Sequence, residues 1–311
     1  MSMTINGTYA PICVFAYKRP DLFSLCSEAL GKCRGAKHTD LRVYIDGPKD
    51  QLEAEFVNKT IDAARGIDKT TFRSVAVFVS ESNKGLASSV ISGVTETVNM
   101  YGSVIVLEDD LIPVANYLEY MNASLNHYQL MKNVGSISGF GFLVKSADRC
   151  ANYFHPRPNS WGWATWLDRW NMAIWDLPGQ PELKDPEFKK KFNKGGQDLY
   201  RMLMNYQKGR IDSWAIRWAY SHYKHGWLAS CPTYSKISNM GYGEGGTNCS
   251  GAIPPPICLD DGEKSSFLLS NEIAEKGEIS RQVNWYNSNV YKILGRLRRI
   301  SGIGFGEGPY A

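Results

Sequence analysis

Through the first 140 residues, short unbroken apolar runs alternate with stretches whose apolar positions return every three or four residues. The runs are "PICVFAY" (11–17), "LRVYID" (41–46), "SVAVFVS" (74–80), "SVIVLEDD" (103–110) and "VGSISGF" (134–140). Short, β-branched and bounded by turn residues, they read as strands buried on both faces. Helical periodicity falls between them, from Asp21 to Cys33, over about 50–65, in "GLASSVISGVTETVNMYG" and in "VANYLEYMNASLNHY", with Pro113 expected in the first turn of the last. Strands separated by amphipathic helices predict an α/β fold, a mainly parallel sheet flanked by helices on both faces. Ligands of such sheets bind beyond the carboxyl ends of the strands, which is where Asp46, Glu108, Asp109 and Asp110 fall.

The pattern changes after a compositional break near 145–160. All nine tryptophans follow residue 160, and "SWGWATWLDRW" opens the aromatic half. "PELKDPEFKKKFNKGGQD" reads as a solvated helix or loop, and "NMGYGEGGTNCSGAIPPP" (239–256) as a loop. The expected organisation is a nucleotide-sugar-binding half over 1–145 and an acceptor-side, catalytic half of the same domain over 146–260. A C-terminal helical extension over 261–311 completes it.

Composition narrows the class. At 311 residues, 43% hydrophobic and 21% charged, the chain reads as an ordinary globular protein. A net charge of +4 is too mild to argue for nucleic acid, and no zinc-finger or RNA-recognition signature is present. The seven cysteines are odd in number and contain no C-x-x-C pair, which speaks against a disulfide framework and for a reducing cytoplasm. Nothing at the first residues resembles a secretion signal, and no run of 18 apolar residues exists to span a membrane.

The candidate chemistry starts at "VIVLEDDLIP" (104–113). Two carboxylates about 5 Å apart repel by about 3 kcal/mol at an effective dielectric near 20, so three at the mouth of a buried strand imply a cationic partner. Hard oxygens suit Mg²⁺ or Mn²⁺, and Mg²⁺ is usually held by one or two carboxylates plus substrate phosphates. Helix capping by Asp109 or Asp110 is the alternative, although a cap needs one carboxylate and not three. Asp46 could accept from a base N–H or ribose hydroxyl, or simply close an Asx-turn. Lys18 and Arg19 stand at the same rim and suit a phosphate. "SNKGLASS" (82–89), with Lys84, opens a helix whose N-terminus favours an anion. The tryptophans read mostly as core, with one or two of Trp161, Trp163 and Trp214 expected to face a sugar ring. Asp212, just before an apolar helical pattern, reads as an N-cap or as a general base.

Together, A-Y-K-R closing the first strand, Asp-Gly closing the second, V-L-E-D-D, G-W-x-x-x-x-x-x-W and D-S-W resemble the nucleotide-sugar glycosyltransferases of the GT-A fold. The similarity is greatest to the inverting N-acetylglucosaminyltransferase I type and its bacterial relatives, and covers about residues 10–250. The resemblance implies a donor site of Ala16, Tyr17, Arg19, Asp46 (on the base), Lys84, Glu108, Asp109 and Trp163. Asp110 would be the direct ligand of Mn²⁺ or Mg²⁺, Asp212 the catalytic base, and Trp161 and Trp214 acceptor contacts. A UDP-sugar donor is favoured, and the acceptor would be a glycan, a lipid-linked sugar or a protein. Two departures stand out. Asn248 occupies the place where bacterial relatives are expected to carry a histidine. The membrane anchor and stem of the Golgi enzymes have no counterpart, which fits a cytoplasmic bacterial enzyme of polysaccharide biosynthesis.

In "SNVYKILGRLRRISGI" (288–303), Val290, Ile293, Leu294, Leu297 and Ile300 form an apolar stripe beside basic residues. It suits peripheral contact with an anionic membrane face or packing against the domain. Two other classes remain open: a metal-dependent phosphoesterase or nucleotidyltransferase, which would need further acidic or histidine ligands for a second metal, and a non-catalytic carbohydrate-binding protein, which would not need the acidic box.

Overall fold

A computed structural model describes residues 9–145, 150–177, 181–242, 255–288, 290–291 and 293–294. The first half builds as its periodicity predicts: β1 (Ile12–Ala16), α1 (Pro20–Lys32), β2 (Asp40–Ile45), α2 (Gln51–Arg65), β3 (Ser74–Val79), α3 (Leu86–Tyr101) and β4 (Ser103–Glu108). Local chemistry marks the boundaries. Pro20 opens α1, the Asp50 carboxylate accepts from Glu53 N at the start of α2, and α3 ends on Gly102 at φ 81°, a left-handed value that suits glycine. One expectation fails here. Leu111–Pro113 form a short strand, β5, and the helix α4 begins only at Tyr117 and runs to Tyr128. The cause is tertiary: β5 pairs antiparallel with β10 (Ile237–Asn239), contributed from far along the chain.

The remaining elements are β6 (Val134–Ser138), β7 (Asn152–His155), β8 (Trp163–Trp166), α5 (Leu167–Asn171), α6 (Pro186–Phe192), α7 (Leu199–Gln207), α8 (Trp214–His225), β9 (Leu228–Pro232) and α9 (Gly277–Tyr286). Eight strands make one sheet in the order β3-β2-β1-β4-β8-β6-β9-β7. β3, β2, β1 and β4 are parallel neighbours, as are β6 and β9, whereas β8 runs antiparallel between β4 and β6 and β7 antiparallel beside β9. The two compositional halves therefore share one continuous sheet.

Alternation along the strands sorts the core. Val14, Ile105 and Leu107 join Phe23, Leu118 and Met121 on one face, while Phe15, Val104 and Val106 meet Val90, Val94 and the tryptophans on the other. Trp163 stacks on Trp214 with ring centroids 5.0 Å apart and on Trp170 at 5.7 Å, and all three are buried. Aromatic bulk thus fills the space between α3, α5 and α8.

Two histidines are sealed in this framework. His222 lies between Trp218 and Trp227, with Nε2 3.2 Å from Ser136 Oγ, and His155 is equally buried. Burial pushes both down to about 3. An unfolded imidazole takes its proton near pH 6.5, so folding disfavours the charged ring, and the stability this gives is whole above that pH and lost as pH falls toward 3. By pH 4.5 each ring is expected to cost about 2–3 kcal/mol. Urea midpoints between pH 7 and 4.5 check this. His222→Gln should flatten the decline, and an unchanged pH slope would remove His222 from the account.

Among the described residues no helix is long and apolar enough to cross a membrane. Cys249, Asn248 and most of the 288–303 segment lie outside the described residues. Within that segment, Val290, Ile293 and Leu294 are exposed.

Candidate active site

β1, β2 and β4 end together, and their carboxyl ends form a polar rim. Ala16 and Phe15 stand beside Ile45 and Glu108 in direct register. Strand alternation then separates the acidic triplet. Glu108 continues the Val104–Val106 face toward α3 and the tryptophans, while Asp109 continues the Leu107 face toward the start of α1.

The Asp109 carboxylate is 2% exposed and accepts from Tyr17 N at 3.4 Å and from the Arg19 guanidinium. Arg19 Nη1 also donates to Asp110 Oδ2 at 2.9 Å, so one guanidinium bridges two carboxylates. Burial raises Asp109 to about 6 against the pull of Arg19. Glu108 is raised to about 8, first by burial and then by Asp110 and Asp109. Its side chain makes no hydrogen bond or ion pair among the described residues. The repulsion inferred from the sequence is therefore present in the fold, and Arg19 answers it for two of the three acids.

Asp46 is buried, and both its oxygens are engaged: Oδ1 accepts from Gly47 N at 3.0 Å and Lys84 N at 2.8 Å, and Oδ2 from Gly85 N at 2.9 Å. Its demonstrated work is to hold the loop that opens α3, beyond the simple Asx-turn considered from the sequence. One lone pair, on Oδ2, remains for a ligand. The Lys84 side chain is exposed beside it. Tyr17 Oη donates to Glu53, which also pairs with Lys18, a contact between β1 and α2 that the sequence did not announce.

The aromatic expectations need correction. Trp163 is 1% and Trp214 3% exposed, and they stack on each other inside the core, so neither offers a free face to a ring. Their adjacency to β4 and α3 explains why: they replace the helix-on-sheet packing that aliphatic residues supply on the other face. Trp161 alone of the three stays half-buried, edge-on to Phe140 at 4.5 Å and to Tyr242 at 5.6 Å.

Asp212 is also placed differently from its capping alternative. Ser213 is the N-cap of α8, accepting from Ile216 N, while the exposed Asp212 pairs with Arg217 Nη2 at 2.9 Å. Trp214 carries this helix start to Trp163, and Trp163 is in register with Val106, two residues before Glu108. The start of α8, two residues after Asp212, thus packs on the face of the sheet that Glu108 continues.

The strand pair β5–β10 closes the rim from another side. Met240 N donates to Asp110 O at 2.9 Å, and Gly241 lies against the Asp110 carboxylate. A Cβ at 241 would run into Asp110 Oδ2 and stand 3.0 Å from its Cγ. For a rim that takes up Mn²⁺ together with UDP, Gly241→Ala is expected to turn the Asp110 carboxylate and weaken that uptake about tenfold, with the melting temperature little changed. Calorimetry on the variant reads this directly, and wild-type affinity would show that the carboxylate accommodates the methyl. Gly241 was not singled out from the sequence, because the β5–β10 pairing that brings it to Asp110 is long-range.

Among the described residues no three His, Cys, Asp or Glu side chains converge on one point as a metal cage. The donor set instead fits a hard cation bound by one or two carboxylates and completed by ligand oxygens, with a guanidinium now seated on the same oxygens.

No protein-family model and no curated protein sequence matches the chain. Solved structures similar to it include S. aureus TarS, with a TM-score of 0.39 and 10% identity over 74% of this chain and 36% of that one. The galactosyltransferase LgtC in complex with donor and acceptor sugar analogues gives 0.40 and 9% over 70% of this chain and 72% of that one. GalNAc-T7 with UDP, GalNAc and Mn²⁺ gives 0.45 and 10% over 74% of this chain and 44% of that one. The match thus spans less than half the length of TarS and of GalNAc-T7.

Proposed function

We propose that the chain is a metal-dependent, inverting glycosyltransferase that moves a sugar from a nucleotide sugar, a UDP-sugar in the favoured case, to a hydroxyl of a glycan, lipid-linked or protein acceptor. The observation that carries the reading is the acidic triplet at the end of β4, two of whose members share a guanidinium. Such a rim suits a ligand that brings both a cation and anionic oxygens, which a metal–nucleoside diphosphate does. Asp110, with Asp109 behind it, would hold Mn²⁺ or Mg²⁺, which when bound supplies charge neutralisation for a departing diphosphate.

The chain's own residues supply the rest. Tyr17 and Asp46 stand at the ends of β1 and β2, where the nucleoside would lie, and Asp46 keeps the Lys84–Gly85 backbone in place beside it. Glu108, whose carboxyl has no hydrogen-bond partner among the described residues, would contact the donor sugar. Asp212 would take the proton of the acceptor hydroxyl from the opposite side of the anomeric carbon, and in-line attack would invert that centre. Trp161 and Tyr242 would border the acceptor.

A two-metal phosphoesterase or nucleotidyltransferase would call for further acidic or histidine ligands, and the described residues bring no such cluster together. A carbohydrate-binding role built on Trp163 and Trp214 conflicts with their burial. Measuring nucleoside diphosphate release from a panel of sugar nucleotides, with and without Mn²⁺, tests the proposal. Release that depends on the metal supports it, and absence of any nucleotide binding in either condition overturns it.

A further inference from the structure

Arg19 is placed to do more than meet a phosphate. It precedes α1, its carbonyl accepting from Phe23 N at 3.0 Å, so its backbone is fixed at the rim. Its side chain is 24% exposed and reaches two acids whose side chains are 3% and 13% exposed. The oxygens it occupies include Asp110 Oδ2, against which Gly241 also rests. A guanidinium here neutralises charge that would otherwise repel across a partly buried site. It also takes one lone pair each of Asp109 Oδ1 and Asp110 Oδ2 and sets a positive charge where a metal ion would come to rest. A divalent cation that came to the same two carboxylates would be repelled by the guanidinium at close range, so the two ions compete for the site.

We propose that Arg19 is a built-in counter-ion of the acidic rim, seated on Asp109 and Asp110 when no nucleotide is bound and drawn off them by an incoming diphosphate, so that metal and nucleotide binding are coupled. The inference rests on the glycosyltransferase reading for the identity of the ligand. Its chemistry needs only a group with two or more anionic oxygens that competes for the guanidinium. Backbone movement is not required, since the side chain borders solvent and can rotate about its own bonds. By linkage, whatever factor the nucleotide adds to metal affinity the metal adds to nucleotide affinity.

The test is calorimetry of Mn²⁺ and of UDP, separately and together, on wild type and on Arg19→Ala, with melting curves as a check on folding. Arg19→Ala is expected to bind Mn²⁺ alone at least about tenfold more tightly, a change of about 1.4 kcal/mol, and UDP at least about tenfold more weakly. The opposite signs discriminate. If Arg19 only contacts the nucleotide, UDP affinity falls and Mn²⁺ affinity stays. If it only supports the fold, both fall. Either result overturns the counter-ion role while the glycosyltransferase reading stands, provided wild type binds UDP with Mn²⁺. Failure of wild type to bind UDP, GDP or Mn²⁺ in any combination overturns both. Arg19→Gln, which keeps hydrogen bonding and removes the charge, gives the same readout should the alanine variant not fold.

Discussion

Asp110→Asn is expected to lower metal-dependent sugar transfer on the order of 10³-fold, because it removes the charge that would hold the cation opposite a developing diphosphate. The substitution keeps the size of the side chain, so β5, Met240 and Gly241 can retain their contacts with it. Stability should change little for a second reason. The variant loses the ion pair with Arg19 but also loses a repulsive neighbour of Asp109 and Glu108. Arg19 keeps its contact with Asp109. Activity assays with Mn²⁺ titrated over a wide range, beside thermal melts, separate the effects. Turnover equal to wild type at every metal concentration would remove Asp110 from the ligand shell.

Asp212→Asn should cut turnover by about 10²–10⁴-fold, the range for loss of a general base, with the affinity for the nucleotide sugar kept. Its pair with Arg217 is exposed on the acid side, and such pairs contribute about 0–1 kcal/mol to stability. Arg217 also donates to Ser213 O and Trp175 O, so it is not stranded when Asp212 loses its charge. Ser213→Ala is the contrasting variant: it removes the cap of α8 and should cost about 1 kcal/mol of stability, with no comparable effect on the chemical step. Asp212→Asn with full turnover would leave Asp212 a surface partner of Arg217 and nothing more.

The first half of the fold was legible because its signals are local. Five apolar runs and four amphipathic stretches are each set within a few residues, and apart from the start of α4 the observed boundaries fall close to those expected. What escaped depends on partners distant in sequence. Pro113 read as the first turn of a helix, yet Leu111–Pro113 form a strand, since β10 supplies their partner. The position of β8, and with it the antiparallel insertion in the sheet, has no signature beyond a short aromatic run.

The site divides in the same way. The acidic residues were found because charge at the end of a buried strand is conspicuous wherever it occurs. The burial of Trp163 and Trp214 was not legible individually, because a tryptophan's role depends on what lies opposite it, and here each lies opposite the other. Ser213 rather than Asp212 caps α8, a one-residue distinction that two adjacent capping residue types cannot settle by themselves. Gly241 and the bridging geometry of Arg19 arise only once separate loops meet at the rim.

The reversed direction of β8 has a further consequence. The chain leaves β6 at Ser138 and enters β8 at Trp163, and these two residues are direct partners in the sheet. A long detour therefore starts and finishes one strand spacing apart, about 4.8 Å. That detour carries β7 to the edge of the sheet and buries Phe140, Phe154 and His155, so length can be added between its buried segments, where closure of a longer loop adds only slowly to the entropic penalty, while β7 itself stays tied to β9.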